Sequence, residues 1–171
     1  MKYKLTNETI RHYNGITLYK IQALKNFGNV RIGDIRGYIE TENNLSHFDN
    51  AWVYDNARVG EDVRVSGDAR VYGNAWVDGN VLVYGNATIG GNARVYGNAK
   101  IYGNALVYDG ALVGGNAEVY GNAKIYGNAL VNGNDVICKG DKANAKVNEV
   151  KVEEVFNRLE ITNALDFMEV L

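Results

Sequence analysis

A six-residue repeat runs without interruption from Ala51 to Gly140, and it constrains the fold of this chain more than any other feature. Fifteen consecutive hexads follow the pattern A-x-[VI]-x-G-N, and the third position is Val or Ile in every one. Alanine fills the first position in twelve of the fifteen, while Gly and Asn fill the fifth and sixth positions in eleven each. Because no insertion or deletion breaks the register, each hexad is one structural unit of a repeat protein.

The pattern within each hexad predicts a short strand followed by a corner. The first four residues alternate between apolar and variable types, which is the period of a strand with one buried face. Positions one and three therefore point inward, and positions two and four point outward. Gly and Asn tolerate the left-handed backbone that a sharp corner needs. A helix is rejected because a period of six does not follow 3.6 residues per turn.

Strands of four residues are too short to be stable alone, so the hexads must stack. Successive coils about 4.8 Å apart allow every strand to bond to the strands above and below it. The complete lack of proline agrees with such a stack, since proline cannot donate a ladder hydrogen bond. An Asn at each corner is able to form amide ladders between coils.

These residues resemble the hexapeptide repeat of left-handed parallel β-helices, of which A-x-[VI]-x-G-N is a frame-shifted form. The resemblance implies a triangular coil of three hexads, a left hand, and about five coils over residues 51–140. The stretch FGNVRIGDIRGYIETENNLSHFDNAWVYDNARV also resembles a bacterial and phage-associated branch that opens with G-D-[LI]-x-G-[YW]-I-E…N-L-S. Members of that branch are often labelled acyltransferases. The expected fold is all-β, a single-stranded left-handed parallel β-helix with a small N-terminal cap and a C-terminal helical tail.

The two ends of the chain differ from the repeat and divide it into three segments. Residues 1–44 are expected to cap the first coil, because an open coil is an exposed sheet edge; a binding module of its own is the alternative. Residues 45–150 form the β-helix. Residues 151–171 form a helical tail that caps the last coil, packs on a neighbouring subunit, or docks a partner. The apolar residues of this tail recur at helical spacing, as in Val152, Val155, Phe156 and Leu159.

The resemblance implies a specific chemistry if the chain is an enzyme. Acyltransferases of this superfamily use a histidine as general base and bind acyl-CoA between the subunits of a trimer, so acetyl-CoA would be the cofactor. Of the two histidines, His47 is the candidate base, in an inward position of the segment LSHFDN. A partly buried capping histidine is the competing interpretation. The unbroken register also leaves no extruded loop to wall an active site, so the sequence favours a protein without catalysis or cofactor.

Composition argues against several other classes of function. A net charge of −2, with basic residues spread evenly over the coil, argues against nucleic acid as a partner. Cys138 is the only cysteine, which excludes a disulfide framework and suits a reducing compartment. Acidic residues such as Asp62 and Asp68 fall at different corners, so no metal site is expected. The chain lacks a signal-like start and a long apolar run, so we expect a cytoplasmic protein without membrane contact.

Folding the outward positions at a period of eighteen defines three faces. Face A carries in position two Arg58, Trp76, Arg94, Leu112 and Leu130; face B carries Arg64, Leu82, Lys100, Glu118 and Val136; face C carries Trp52, Arg70, Thr88, Leu106 and Lys124. The expected binding surface comprises Trp76, Tyr96, Leu112 and Leu130 on face A and Tyr84, Tyr102 and Tyr120 on face B. One of these faces is expected to join subunits, and the resemblance favours a homotrimer.

Three functions follow from these observations. The favoured one is a non-catalytic binding scaffold, which the resemblance makes a phage or prophage accessory protein that binds and blocks a host or defence factor. The first alternative is an acyl-CoA-dependent acyltransferase with His47 as base. The second alternative is a sugar- or nucleotide-binding module that uses the outward tyrosines.

Overall fold

The computed structural model describes residues 1–143 as a stack of parallel coils with an antiparallel extension at its N-terminal end. Three longer strands and one 3-10 helix come first: β1 (Tyr3–Arg11), β2 (Thr17–Ala23), β3 (Ile35–Ile39) and the helix Glu42–Asn44. The repeat region then supplies one short strand per hexad: β4 (Trp52–Val53), β5 (Arg58–Val59), β6 (Arg64–Val65), β7 (Arg70–Val71), β8 (Trp76–Val77), β9 (Leu82–Val83), β10 (Thr88–Ile89), β11 (Arg94–Val95), β12 (Lys100–Ile101), β13 (Leu106–Val107), β14 (Leu112–Val113), β15 (Glu118–Val119), β16 (Lys124–Tyr126), β17 (Leu130–Val131), β18 (Val136–Ile137) and β19 (Asp141–Ala143).

Each strand of the repeat pairs in parallel with the strand three hexads away, so three hexads complete one coil. Arg94 of β11, for example, pairs with Trp76 of β8 below and with Leu112 of β14 above. The result is three sheets, which hold β5, β8, β11, β14 and β17 on face A, β6, β9, β12, β15 and β18 on face B, and β4, β7, β10, β13, β16 and β19 on face C. The predicted all-β parallel solenoid is confirmed. Its left hand stays a prediction of the resemblance.

The stack contains about six turns rather than the five expected. The additional turn is made up of segments at both ends of the regular hexads: β3 pairs with β5 and Leu45 bridges to Val65 before them, and β19 pairs with β16 after them. Parallel pairing therefore begins before the repeat is visible in the sequence. The pattern of inward residues is irregular in this turn, which is why the periodicity did not reveal it.

The interior of the stack is a column of small and branched apolar side chains. Every Ala and every Val or Ile at positions one and three from Ala51 to Val131 is buried. Burying a valine or isoleucine side chain contributes roughly 1.5–3 kcal/mol before the loss of chain entropy is counted. This inward-outward alternation is the one that the sequence predicts.

The corners are held by side-chain ladders that run along the axis. Asn80, Asn98, Asn116 and Asn134 are joined amide to amide, each hydrogen bond measuring 3.0 Å. At three corners an acidic residue replaces glycine and keeps a positive φ, namely Asp55, Glu61 and Asp109. Each of these carboxylates accepts a hydrogen bond from the glycine N–H eighteen residues later.

The N-terminal segment closes the first coil. β1 and β2 extend the sheet of face A in antiparallel order, next to β3. The buried Lys2 donates hydrogen bonds from Nζ to the carbonyl oxygens of Asp49, at 2.9 Å, and Ala51, at 2.8 Å. Tyr3 donates from its hydroxyl to the carbonyl of Leu45 at 2.7 Å. Backbone groups that an open end would expose are thus satisfied.

One outward residue is not on the surface. Trp52 occupies position two of its hexad and was expected to point into solvent, yet it is fully buried. Phe27 and Tyr3 pack edge-on against its indole, with ring centroids 5.2 and 5.8 Å away. The N-terminal segment therefore covers the start of face C as well as the end of the stack.

Within residues 1–143 no helix has the length and apolar character needed to cross a membrane. The expected helical tail of residues 151–171, and the last residues of the expected β-helix segment, lie outside the described residues.

Candidate binding site on face A

The connection between β1 and β2 folds over the outer side of face A. Its residues 12–16 form a tight turn, in which the His12 N–H donates to the Ile16 carbonyl at 2.9 Å. Ile16 packs so closely on Gly60 that a methyl group added there would approach its Cδ1 to 2.8 Å. Asn14 donates a hydrogen bond to the Glu61 carboxylate at 2.8 Å. We call residues 12–16 the hairpin tip.

Trp76 lies under the hairpin tip at the centre of a stack of side chains. β5, β8 and β11 are neighbours in register, so the outward residues of the three strands line up along the axis. The guanidinium groups of Arg58 and Arg94 lie over the Trp76 ring, 5.0 and 4.8 Å from its centroid. Tyr13 is parallel to the indole at 5.7 Å, and His12 meets it edge-on at 5.0 Å. Cation–π and aromatic contacts therefore fix the indole from several sides.

Asp78 fastens the hairpin tip to the solenoid. Its Oδ2 atom accepts a hydrogen bond from the Tyr13 hydroxyl at 2.9 Å and lies 3.6 Å from the Nε2 atom of the buried His12. The carboxylate raises the pKa of Tyr13 above its ordinary value, first through this hydrogen bond and then through its charge. The second oxygen, Oδ1, has no hydrogen-bond donor among the described residues.

A recess of about 560 Å³ opens between the hairpin tip and the wall of the coil. Its lining combines aromatic rings, an aliphatic side chain, one cation and one anion, contributed by Tyr13, Trp76, Asp78, Arg94, Tyr96 and Leu112. Tyr13 is 70% exposed and Tyr96 is 37% exposed. The Tyr96 ring lies across Gly114, where any larger residue would overlap it. The volume lies within the range of small-molecule sites.

Most of the face A residues expected from the sequence meet at this recess. Trp76, Tyr96 and Leu112 line it. Leu130 is one strand further along the axis, where β17 pairs with β14, and extends the apolar surface beyond the recess. Arg94 is exposed, and no ion pair joins it to a carboxylate in the part of the chain that the structure describes.

The tyrosines of face B form a separate surface. Tyr84, Tyr102 and Tyr120 stack ring on ring at 4.8 and 4.9 Å, with interplanar angles of 2° and 3°. The Tyr102 hydroxyl donates to Glu118 at 3.3 Å, and burial together with that carboxylate raises the pKa of Tyr102 to about 12. Both faces of the Tyr102 ring and one face each of Tyr84 and Tyr120 are covered by a neighbouring ring, which leaves less aromatic surface for a ligand. This geometry favours support of the sheet.

His47 packs against the N-terminal segment. Its ring stacks on Tyr3 at 4.2 Å, and its Nδ1 atom accepts a hydrogen bond from the backbone N–H of Lys2 at 3.2 Å. The other nitrogen, Nε2, is buried 3.8 Å from the Glu42 carboxylate. A general base must offer a nitrogen to its substrate, so this placement favours the capping interpretation.

The hairpin tip was absent from the residues singled out in the sequence. A local signal for it exists, because Asn14-Gly15 is a strong marker of a hairpin turn. That signal places a turn near residue 14 but says nothing about where the turn docks. The contact between Tyr13 and Asp78 joins residues that are 65 positions apart, and only Asp78 belongs to the hexad repeat.

No cluster of three or more His, Cys, Asp or Glu side chains suited to a metal ion is found among residues 1–143. Fold and recess together define a β-solenoid repeat protein with a hairpin-bordered recess on one face. A family model described as YdcK beta solenoid repeat matches residues 63–79, 99–115 and 123–139. The chain is thus similar to that repeat family in three separate stretches of the stack. A comparison with curated proteins finds no match.

Proposed function

We propose that this protein is a non-catalytic binding scaffold whose recognition surface is the recess on face A and the apolar strip that continues to Leu130. One observation carries the proposal: the hairpin tip is fastened across the solenoid wall and borders a recess with aromatic, cationic and anionic groups. Sites of this composition are typical of ligand recognition.

The recess is preorganised by its neighbours. Trp76 is held between two guanidinium groups, and Asp78 is held by the hairpin tip. The hydrogen-bonded parallel sheet of face A supports both side chains. Little conformational freedom is therefore lost when a ligand binds, which favours affinity.

The finer features of the proposal rest on the sequence resemblance. It supports a phage or prophage accessory protein that binds and blocks a host or defence factor, and it favours a homotrimer. The recess and the apolar strip that continues to Leu130 supply a surface for such a partner.

The experiment locates binding by NMR. Full-length protein is screened against acetyl-CoA, CoA and a fragment set of sugars, nucleotides and short peptides, with the Trp76 indole N–H and the leucine methyl groups as reporters. We expect perturbations to concentrate at Trp76 and Leu112 and to be lost in Tyr96→Ala. The matched control is Tyr84→Ala on face B, which should leave them intact.

Two results would overturn the proposal in favour of a specific alternative. Binding of acetyl-CoA that disappears in His47→Ala would favour the acyltransferase. Perturbations confined to the Tyr84, Tyr102 and Tyr120 ladder would favour the tyrosine-based module. A screen without any response at face A would also contradict the scaffold.

A further inference from the structure

We infer that the recess on face A binds an acidic saccharide, a sugar ring that carries a carboxylate. This inference rests on the proposed function, because it concerns the same recess. In the bound state the ligand carboxylate pairs with Arg94, ligand hydroxyls donate to Asp78, and the apolar side of the sugar ring packs against Tyr13 and Tyr96.

Arg94 is the cation of the recess. Its guanidinium carbon lies 4.8 Å from the centroid of the Trp76 ring, and such a cation–π contact occupies the face of the cation without using its N–H donors. Asp78 lines the same recess, yet no ion pair joins the two side chains in the described structure. A guanidinium without a carboxylate partner is suited to bidentate pairing with the carboxylate of a ligand.

Asp78 supplies a hydrogen-bond acceptor to the recess. Its Oδ2 atom already accepts from Tyr13, and Oδ1 remains as an acceptor. Sugar hydroxyls supply such donors in several directions. A phosphate supplies no donor when ionised and carries more charge, so it would be repelled by Asp78 and by Glu61, which holds the hairpin tip through Asn14. A single carboxylate among hydroxyls therefore fits the recess better than a nucleotide does.

The remaining lining suits the ring itself. Tyr13 and Tyr96 are the most exposed aromatic groups of the recess, at 70% and 37%, and Leu112 adds an aliphatic surface. Aromatic side chains with a polar end bind ligands that have one apolar and one wet side. A pyranose ring has that character, since its C–H groups and hydroxyls point in different directions.

The test compares two sugars that differ only at the charged group. Methyl β-D-glucuronide and methyl β-D-glucoside are titrated into full-length Trp52→Phe protein, in which Trp76 is the only tryptophan and its fluorescence reports the recess. We expect the glucuronide to bind at least about tenfold more tightly, since hydrogen bonds between charged partners are the strong ones. Adenosine monophosphate serves as the phosphate probe.

A pair of matched variants tests whether Arg94 is the residue that pairs with the carboxylate of the ligand. Arg94→Gln should reduce the affinity for the glucuronide to that for the glucoside. Arg64→Gln removes the same residue type from the same hexad position on face B and should change nothing. Circular dichroism and thermal unfolding should match the parent protein in both variants.

Several outcomes would overturn the inference. These are equal binding of the two sugars, equal effects of the two arginine variants, tighter binding of adenosine monophosphate, or no response to the glucuronide at tens of millimolar. If the fragment screen perturbs Trp76 while the glucuronide does not, only the acidic saccharide is wrong. If no probe perturbs face A, the binding scaffold is wrong as well.

Discussion

At the scale of single residues, Lys2 places an ammonium group where water hardly reaches. The side chain is buried and contacts two carbonyl oxygens and the Phe27 ring. Burial lowers the pKa of Lys2 to about 8, although the nearby Asp49 opposes the shift. The folded protein therefore releases a proton at a pH at which the unfolded chain still holds it.

This lysine should make stability depend on pH. Between pH 8 and pH 10 the unfolded chain binds more protons than the folded one, so the free energy of unfolding rises with pH, by on the order of 2 kcal/mol. Above pH 10 the half-buried Tyr54 and Tyr102 reverse the trend, because their raised pKa values make the folded state bind more protons than the unfolded chain. Urea unfolding at a series of pH values across this range measures both the rise and the fall of the free energy of unfolding.

Lys2→Met should remove most of the rise in the free energy of unfolding between pH 8 and pH 10. Lys4→Met, which alters an exposed residue on β1, should retain it. An unchanged slope in Lys2→Met would show that another group titrates.

Asp109 occupies a corner position that is glycine in most hexads, so variants of it show how such a corner tolerates another residue. It has a φ of 58° and accepts a hydrogen bond from the Gly127 N–H at 3.2 Å. Asp109→Gly loses the hydrogen bond but also removes the steric cost of a positive φ. Its free energy of unfolding should therefore stay within about 1 kcal/mol of that of the parent protein. Asp109→Ala loses the bond and keeps a disfavoured backbone, which should cost about 1–2 kcal/mol. Chemical denaturation distinguishes them, and equal stability of the two variants would contradict this account.

At the scale of elements, the hairpin tip depends on a few polar contacts. Tyr13→Phe keeps the ring on Trp76 but removes the hydroxyl that donates to Asp78. A neutral-to-charged hydrogen bond at an exposed site contributes about 1 kcal/mol, so amide exchange at residues 12–16 should accelerate roughly fivefold. Global stability should not change measurably.

Tyr19→Phe on the adjacent strand β2 is the control for the loss of a hydroxyl. Unchanged exchange in the hairpin tip of Tyr13→Phe, or equal acceleration in both variants, would mean that Asp78 does not anchor it.

The elements also show what the sequence could and could not predict. The strands from β4 to β18 follow directly from the hexads, because each inward Val or Ile must be buried for the coil to close. The role of β3 in an additional turn could not be read in this way, since Ile35–Ile39 lies outside the repeat. The burial of Trp52 and the docking of Tyr13 on Trp76 are tertiary contacts, which a periodic pattern does not encode.

At the scale of the whole molecule, the coil is a removable unit. Deleting residues 93–110 joins Asn92 to Ala111, and the next strand, β14, returns to face A. We expect this protein to fold with one coil fewer and with Tyr84 stacked on Tyr120. Deleting residues 93–109 leaves one residue too many, so every later inward side chain points outward. That variant should aggregate.

Circular dichroism and size-exclusion chromatography separate the two outcomes. Equal behaviour of the two deletions would contradict a stack whose coils contact only their neighbours.

From β4 to β18 the backbone hydrogen bonds between coils run along the axis of the solenoid, from each strand to the one eighteen residues away. A pulling force applied to the last coil therefore breaks the hydrogen bonds of that coil first and those of the other coils only afterwards. Each rupture would release eighteen residues, or about 60 Å of contour length. In an optical trap the protein should lengthen in even steps, one for each turn of the stack, whereas a single large step would indicate that the turns yield together.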